Sequence, residues 1–497
     1  MTCLSTTAGT IDGCVEQALS QQDWIDAVEL RADLLAPLER RRVSEFPRRL
    51  ASVLGCSAPT IFAVRRPVDG GKFEGSENER IELLVHAARR GAFAYLDIEM
   101  DISDDEGGRQ IAKAAADGGA AVIRSLHDFT GVPENLVELM SSAARRDDDV
   151  IKCAVSPTGV KDVVRLLRMS RHFDVSRAIV IGMGPYGTIT RVLTPYFGSI
   201  LTFASCPGEQ AAPGHLTPQV LAEIYHRRTI TADTPIFAVI GSPIEHSRSP
   251  HYHNTRFITE GIEACYVPVL VDDIDAFFEL AEELPILGFS VTIPHKEAAL
   301  ERVDELSPEA VAAKAVNTVV ARPGGGWSGT NTDIDGFLQP TVATYGRSLR
   351  NARTLVIGAG GAARGVVYGL VSCGASVVLT NRTTDRATQL AADIAQVTGR
   401  DDEVVVADIE EASKGEYAIV AQTTSVGMNG DGDAAPWYEF TGSEVVFDAV
   451  YTPPETPFIK RAQAAGCRVV TGDRMFDGQA EAQFEIYREK ITDAVDA

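Results

Sequence analysis

The 497-residue chain carries 46 basic and 69 acidic residues, a formal charge of −23, and 45% apolar residues. That length exceeds what one hydrophobic core holds and implies about two to four domains. The acidic balance argues against non-specific binding to nucleic acid or anionic membrane, both of which need basic surface. The eight cysteines are scattered, without CxxC pairs or metal-type His/Cys spacing, so reduced thiols, a cytoplasmic setting and no metal site are expected. No uninterrupted apolar run reaches roughly 18 residues, so no membrane-spanning helix is expected. The N-terminus lacks the basic, apolar, small-residue order of a signal peptide, and no transit peptide is expected.

Along the first 229 residues, short apolar runs recur at 3–6, 27–30, 60–64, 94–98, 121–126, 150–155, 178–181 and 200–204. Helix-like spacing separates them, a pattern that predicts a (β/α)8 barrel rather than an open sheet. Polar residues stand in step at the trailing ends of these runs or just beyond: Glu29, Arg31, Arg65, Glu99, His127, Lys152 and Arg191. Barrel active sites lie at the carboxyl ends of the strands, where these residues would gather. The polar stretch 226–235 then leads into a second α/β unit with strands at 236–240, 264–271, 288–293 and 315–320. A helix and linker over 336–353 precede a third unit. It opens with a strand at 354–357 and continues with strands at 376–380, 403–406, 418–421, 445–449 and 468–471. The segment from 479 onward reads as a helix packing back on the second unit. The expected domains are therefore 1–229, 235–338 together with the terminal 475–497, and 339–474. The fold class is α/β, a barrel followed by two further α/β lobes.

Lys152 sits among strand residues. An amine removed from water there has a lowered pKa and is freed to attack a ketone. His127 ends the neighbouring predicted strand, within reach to act as base and acid. Arg65, Arg191 and Arg31 are candidates to bind a carboxylate and hydroxyls, and the turn after Arg65 brings Asp69 to the same pocket. Arg66 and Arg124 are expected on the surface or in ion pairs.

In the last third, TLVIGAGGAARG at 354–365 joins a strand, a G-x-G-x-x-A turn at Gly358, Gly360 and Ala363, and a helix. Such a turn lets the backbone approach a pyrophosphate seated on the helix N-terminus. After the following strand comes NRTTDR at 381–386, where a dinucleotide site for NAD usually carries an acid. Arg382 and Arg386 suit a ribose 2′-phosphate, so NADP is expected. Asp385 is assigned to capping a helix.

Two resemblances sharpen these readings. Over 1–225 the chain resembles type I 3-dehydroquinate dehydratases, through ELRAD (29–33), RRPVDGG (65–71), SLHDF (125–129), VIKCA (150–154), TRVL (190–193), FGS (197–199) and APG (212–214). The resemblance implies that Lys152 forms a Schiff base with the substrate ketone and that His127 moves the protons. It also implies that Glu29, Arg31, Arg65, Asp69, Arg191 and His215 hold the substrate. Three positions depart from the pattern: Asp69 for glutamate, Ala211 for serine and His215 for glutamine.

Over about 235–490 the chain resembles shikimate dehydrogenases, through GSPIEHSRSP (241–250), GFSVTIPHK (288–296), AVNT (315–318), GTNTD (329–333) and DAVYTP (448–453). This implies a catalytic pair, Lys296 and Asp333, with Ser247, Ser249, Thr292, Asn317, Tyr451 and Gln479 around the substrate. Gly358, Gly360, Gly361, Ala362, Ala363, Asn381, Arg382, Thr383, Arg386, Gly472 and Met475 would frame the cofactor. Ser290 departs from the usual asparagine, Lys314 from glycine, and QTTS at 422–425 from Asn-Ala-Thr-Ser.

The order of the halves is similar to the plant-type bifunctional arrangement. It implies conversion of 3-dehydroquinate to 3-dehydroshikimate and then to shikimate, by a monomer or homodimer with small-molecule partners alone. Two alternatives stand beside it. One is a second half that acts on quinate with NAD, and the other is a sensor that binds these metabolites without turnover. Lys152, His127, Lys296 and Asp333 together disfavour the sensor, which has no need of all four.

Overall fold

The computed structural model describes residues 1–102, 106–143, 149–428 and 430–495, in two compact units, Met1–Ile286 and Leu287–Ala497. In the first unit, eight strands run parallel: β1 (Thr2–Thr6), β2 (Ala27–Arg31), β3 (Thr60–Ala63), β4 (Tyr95–Glu99), β5 (Ala121–Asp128), β6 (Val150–Val155), β7 (Ala178–Gly182) and β8 (Thr202–Ala204). Their order is β7-β6-β5-β4-β3-β2-β1-β8. The seam between β7 and β8 is drawn together by Ile200 N–H donating to Ala178 O at 2.9 Å and Val180 N–H donating to Ser199 Oγ at 3.0 Å. The result is a near-closed α/β barrel.

Strand periodicity sorts the residues. Leu4, Val28, Leu30, Phe62, Leu96 and Val122 belong to the core between strands and helices. Alternate positions turn inward, where Cys3, Ala27, Ile61, Ile123, Val150, Ile179 and Leu201 build an apolar floor. Toward the carboxyl ends the inward positions become Ser5, Glu29, Arg31, Asp97, Glu99, Ser125, His127 and Lys152. The barrel is thus oil below and charge above.

Next in the unit come β9 (Ile236–Gly241) and β10 (Cys265–Leu270), a parallel pair. The intervening helix Ser249–Thr259 is tied to them by Asn254, whose amide both donates to Tyr266 O and accepts from Tyr266 N at 2.8 Å. The following helix, Ile274–Glu283, packs on the barrel helix Val160–Ser170. Arg168 and Arg171 pair with Glu283, and Lys161 pairs with Asp273. The N-cap of Val160–Ser170 is Gly159, which has no side chain to accept, and Asp272 Oδ1 accepts from Val160 N at 3.0 Å instead.

In the second unit, β11 (Ile286–Val291) pairs antiparallel with β13 (Thr318–Ala321), and β13 pairs antiparallel with β14 (Trp327–Thr330). The two-residue β12 (Glu305–Leu306) lies parallel to β14. Sequence periodicity did not reveal β12 or β14. The first is too short to show alternation, and the second follows a run of three glycines. The strand expected at 315–320 begins three residues later, because Lys314 closes the helix Pro308–Ala313 in a left-handed conformation (φ 51°) and Asn317 turns into a hydrogen-bond cluster.

The last sheet is fully parallel: β15 (Arg353–Ile357), β16 (Ser376–Thr380), β17 (Val404–Val406), β18 (Ile419–Gln422), β19 (Val445–Asp448) and β20 (Arg468–Val470). Its order, β17-β16-β15-β18-β19-β20, reverses beside β15, the Rossmann topology with its crevice at the switch point. The terminal helix Gly472–Val495 begins earlier than periodicity indicated and packs on the helix Asp333–Tyr345. At their crossing a Cβ on Gly478 would stand 3.1 Å from Gly336 Cα, which explains the small residues. Among the described residues no helix is long and apolar enough to cross a membrane.

Candidate active sites

Of the nine barrel residues singled out from the sequence, eight line one cleft at the carboxyl ends of the strands, namely Lys152, His127, Glu29, Arg31, Arg65, Asp69, Arg191 and His215, while Glu99 is paired with Arg65 and Arg80. The charges of the cleft are organised in pairs, with one exception. Lys152 Nζ lies 2.7 Å from Asp97 Oδ2, 4.0 Å from Glu29 Oε1 and 4.0 Å from the Phe203 ring centroid. The amine is buried, yet its company is carboxylate as well as hydrocarbon, so the expectation of an amine merely stripped of water omitted half of its surroundings.

Arg65 reaches the same Asp97 oxygen at 2.9 Å, Glu99 at 3.2 Å and Ser125 Oγ at 2.9 Å. Glu99 is held from behind by the buried Arg80 at 2.6 Å. Arg80 stands on the helix Glu77–Arg90, whose start is fixed by a Ser76/Glu79 capping box. Asp97 and Glu99 face inward on β4 two residues apart. Asp97 escaped the sequence reading; a carboxylate pair spaced i, i+2 inside a buried strand was the available signal. Its carboxyl is held far below the ordinary value by Arg65 and Lys152, which overcome the cost of burial.

Arg31 is neutralised by a two-pronged contact with Asp33. Glu29 accepts from Ser5 at 2.6 Å. Asp69 is tied to Arg66, which also grips Asp101, and Arg124 pairs with the buried Asp149, so both of these arginines serve ion pairs as expected.

Arg191 is the exception. It is 1% exposed and, among the described residues, donates only to the Phe203 and Pro213 carbonyls and leaves Nε without a partner. Burial without a carboxylate lowers its pKa to about 9. A buried guanidinium lacking a counter-charge is costly, and a ligand carboxylate would relieve that cost. His127 Nδ1 is likewise buried without a partner. Burial first, then Arg65 and Lys152, push its pKa well below the ordinary value, so the ring is neutral and able to accept a proton.

The second group of residues falls in the other unit. Lys296 Nζ lies 2.5 Å from Asp333 Oδ2, and Asn317 Nδ2 donates to Asp333 Oδ1 at 2.9 Å. Asn317 Oδ1 in turn accepts from Thr332 N and Thr318 Oγ1. The carboxylate is therefore fixed between an ammonium and an amide. Ser290, the departure from asparagine, is buried against Gln483 and Tyr487 of the terminal helix, which Gln483 also bonds to Asn317 O and Thr318. Thr292 is part-buried one residue beyond β11, and Gln479 lies against Gly336, on the helix that Asp333 opens. Tyr451 is 65% exposed. Ser247 and Ser249 belong to the first unit, where the Ser247 hydroxyl accepts from Ser249 N at 3.3 Å.

The dinucleotide turn fits its expected occupant. Gly358 has φ 115°, and a Cβ there would meet Thr423 Oγ1 at 2.6 Å. A Cβ on Gly360 or Gly361 would meet nothing, which leaves open space over the start of the helix Gly361–Ser372. Ala362 and the buried Ala363 lie in its first turn, and no side chain caps it. After β16, Asn381 Nδ2 donates to Thr383 O at 2.8 Å. Arg382 and Arg386 are exposed, and neither has a carboxylate partner among the described residues. Asp385 does not cap. Thr383 holds the N-cap position of Thr384–Thr398, and Asp385 sits inside the first turn, where it opposes the dipole without filling the cap.

Gly472 packs a Cβ's width from the Val450 carbonyl and opens the terminal helix, which carries Met475. Gln422, in the departure at 422–425, is buried and donates to Asp448, Thr424 O and Val426 O, so its longer side chain braces the loop. Lys314 offsets its left-handed backbone with an ion pair to Asp393, which Arg364 shares.

A barrel with an amine and a neutral imidazole in one cleft, followed by a Rossmann sheet whose strand end presents free guanidiniums, defines a two-reaction enzyme: a carbonyl-directed lyase and a dinucleotide-dependent dehydrogenase. Family models match in the same order, Type I 3-dehydroquinase over residues 2–232, Shikimate dehydrogenase substrate binding domain over 239–319 and Shikimate / quinate 5-dehydrogenase over 341–425. The chain is 33% identical to the bifunctional 3-dehydroquinate dehydratase/shikimate dehydrogenase, chloroplastic, of Arabidopsis thaliana, over 98% of this chain and 81% of that protein. It is 41% identical to the shikimate dehydrogenase (NADP(+)) of Salinibacter ruber, over 52% of this chain and 94% of that one. Among solved structures it is similar to the dehydroquinate dehydratase and shikimate dehydrogenase from S. pombe AroM, with 27% identity and a TM-score of 0.45, over 99% of this chain and 98% of that chain. The chain belongs to the bifunctional 3-dehydroquinate dehydratase/shikimate dehydrogenase family, a lyase and an NADP-linked oxidoreductase of the shikimate pathway in one polypeptide.

Proposed function

We propose that Lys152 attacks the C3 ketone of 3-dehydroquinate and expels water to form an iminium. The iminium draws electrons from the adjacent C2–H. His127 takes that proton and returns it to the departing C1 hydroxyl, which leaves as water. Hydrolysis of the imine then releases 3-dehydroshikimate and restores the amine. Asp97 orients Lys152, Arg191 receives the substrate carboxylate with His215 beside it, and Glu29, Arg31, Arg65 and Asp69 hold hydroxyls. The observation that carries this reading is Arg191, a buried cation that has no carboxylate partner among the described residues and lines the cleft that holds the amine.

In the dehydrogenase half, Lys296 stands beside the oxygen that becomes an alcohol. As an ammonium it stabilises the developing alkoxide and supplies the proton. Asp333, fixed by Asn317, keeps it oriented. Ser247 and Ser249 bind the carboxylate, while Thr292, Asn317, Tyr451 and Gln479 frame the ring. NADPH, when bound, supplies the hydride. The turn at Gly358, Gly360 and Gly361, with Ala362 and Ala363, would hold its pyrophosphate. Asn381, Arg382, Thr383 and Arg386 would hold the 2′-phosphate end, and Gly472 and Met475 would lie near the nicotinamide. The domains in this reading are 1–229, 235–338 with 475–497, and 339–474, in a cytoplasmic monomer or homodimer.

Borohydride with 3-dehydroquinate is expected to trap an adduct on Lys152. An adduct of equal yield in Lys152→Ala would overturn the imine assignment. Dehydroquinate plus NADPH should consume the reduced cofactor, whereas dehydroquinate plus NADH should do so far more slowly.

A further inference from the structure

His215 is the wall residue that departs most in chemistry from the pattern of the dehydratases, and its surroundings say which of its nitrogens carries the proton. Its Nδ1 lies 2.6 Å from Ser205 Oγ, and Ser205 is 1% exposed. The same oxygen already accepts from Ala211 N–H at 3.0 Å. A hydroxyl has a single proton to give, and here Nδ1 is the only acceptor within hydrogen-bond distance of it among the described residues. Were Nδ1 protonated, the Ser205 proton would be buried without an acceptor, a costly arrangement. Burial first, then Arg191, Lys152 and Arg31, push the ring's pKa well below the ordinary value and favour the neutral form.

We propose that Ser205 is a positioning residue that fixes His215 as the Nε2–H tautomer. It thereby turns an otherwise ambiguous imidazole into a dedicated hydrogen-bond donor to the substrate's anionic group alongside Arg191. Ala211 supports the device, because its backbone N–H takes one of the two lone pairs of Ser205 Oγ and leaves the hydroxyl proton to point at Nδ1. The inference rests on the dehydratase reading of the cleft. It adds that a histidine does the work of a side-chain amide here because a hydroxyl sets its tautomer.

The test is a double-mutant cycle on the full chain with 3-dehydroquinate as the varied substrate. Ser205→Ala should raise KM roughly tenfold, the size of one hydrogen bond to a charged group, with a much smaller change in kcat. Ser205→Thr should restore it. In a His215→Gln background, where the side-chain amide needs no tautomer, Ser205→Ala should cost almost nothing. An equal KM penalty in both backgrounds, or none in the first, overturns the proposal. Nitrogen-15 NMR of histidine-labelled protein gives a readout independent of turnover, with the His215 resonance assigned by its loss in His215→Gln. A protonated Nε2 and bare Nδ1 are expected, and the reverse overturns the tautomer. Failure of the dehydratase reading would show separately, as a wild-type protein without turnover or borohydride adduct.

Discussion

The two lysines at the centre of the proposed chemistry live under opposite conditions. Lys152 is 5% exposed at its side chain, on a central barrel strand, and shares one carboxylate with an arginine. Lys296 is 30% exposed and has a private partner, Asp333, itself 27% exposed. A nucleophile must be placed to within bonding distance of a carbon, and rigid strand geometry with buried counter-charges supplies that placement. A proton donor beside a hydride transfer needs orientation and charge, and a half-open site that admits a large cofactor tolerates that. On the proposed mechanism the folds divide accordingly, a near-closed barrel for covalent chemistry and an open sheet for the dinucleotide.

The largest expected effect would separate the two lysines outright. Lys152→Met should abolish dehydration and leave NADP-dependent oxidation of shikimate intact. Lys296→Met should lower the second rate by roughly 10²–10⁴-fold while sparing the first. Assaying both reactions on both variants checks this, and cross-inhibition would break the comparison. Next in size, Asp97→Asn removes the shared carboxylate from two buried cations. It should destabilise the barrel by about 3–5 kcal/mol, read as a lowered denaturation midpoint, whereas Asp333→Asn should barely move it.

Smaller still, Arg382→Ala or Arg386→Ala should raise the KM for NADPH about tenfold each and leave that for NADH nearly unchanged. The mildest effect concerns acid. His127 and His215 are held neutral in the fold by burial and neighbouring cations, below the value they have unfolded. Their contribution to stability is complete above about pH 6.5 and is withdrawn as the pH falls below it. Thermal melts between pH 7 and 5 should show the loss, and His127→Gln should flatten it.

Most of the barrel was legible because parallel strands buried on both sides read as apolar runs. β6 was bounded to the residue, and the polar residues in step at strand ends marked the cleft. Asp97 stayed hidden because its one signal, a second carboxylate two residues on in a buried strand, does not name a partner; its contacts with Lys152 and Arg65 give it a role. The Rossmann strands were equally clear, down to β16. The small sheet was less so, since β12 and β14 are defined by pairing rather than by composition. Asp385 was misread because an acid near a helix start resembles a cap, while the backbone places Thr383 there.

The helix Val160–Ser170 begins at a glycine, and its first free N–H is met by Asp272, which lies beyond the 226–235 linker. A barrel severed at that linker would lose an acceptor worth roughly 1 kcal/mol and would leave Arg168 and Arg171 facing water. The lyase has therefore come to lean on its neighbour, and splitting the fusion would call for a new residue at position 159 before the fragment stood as firmly alone.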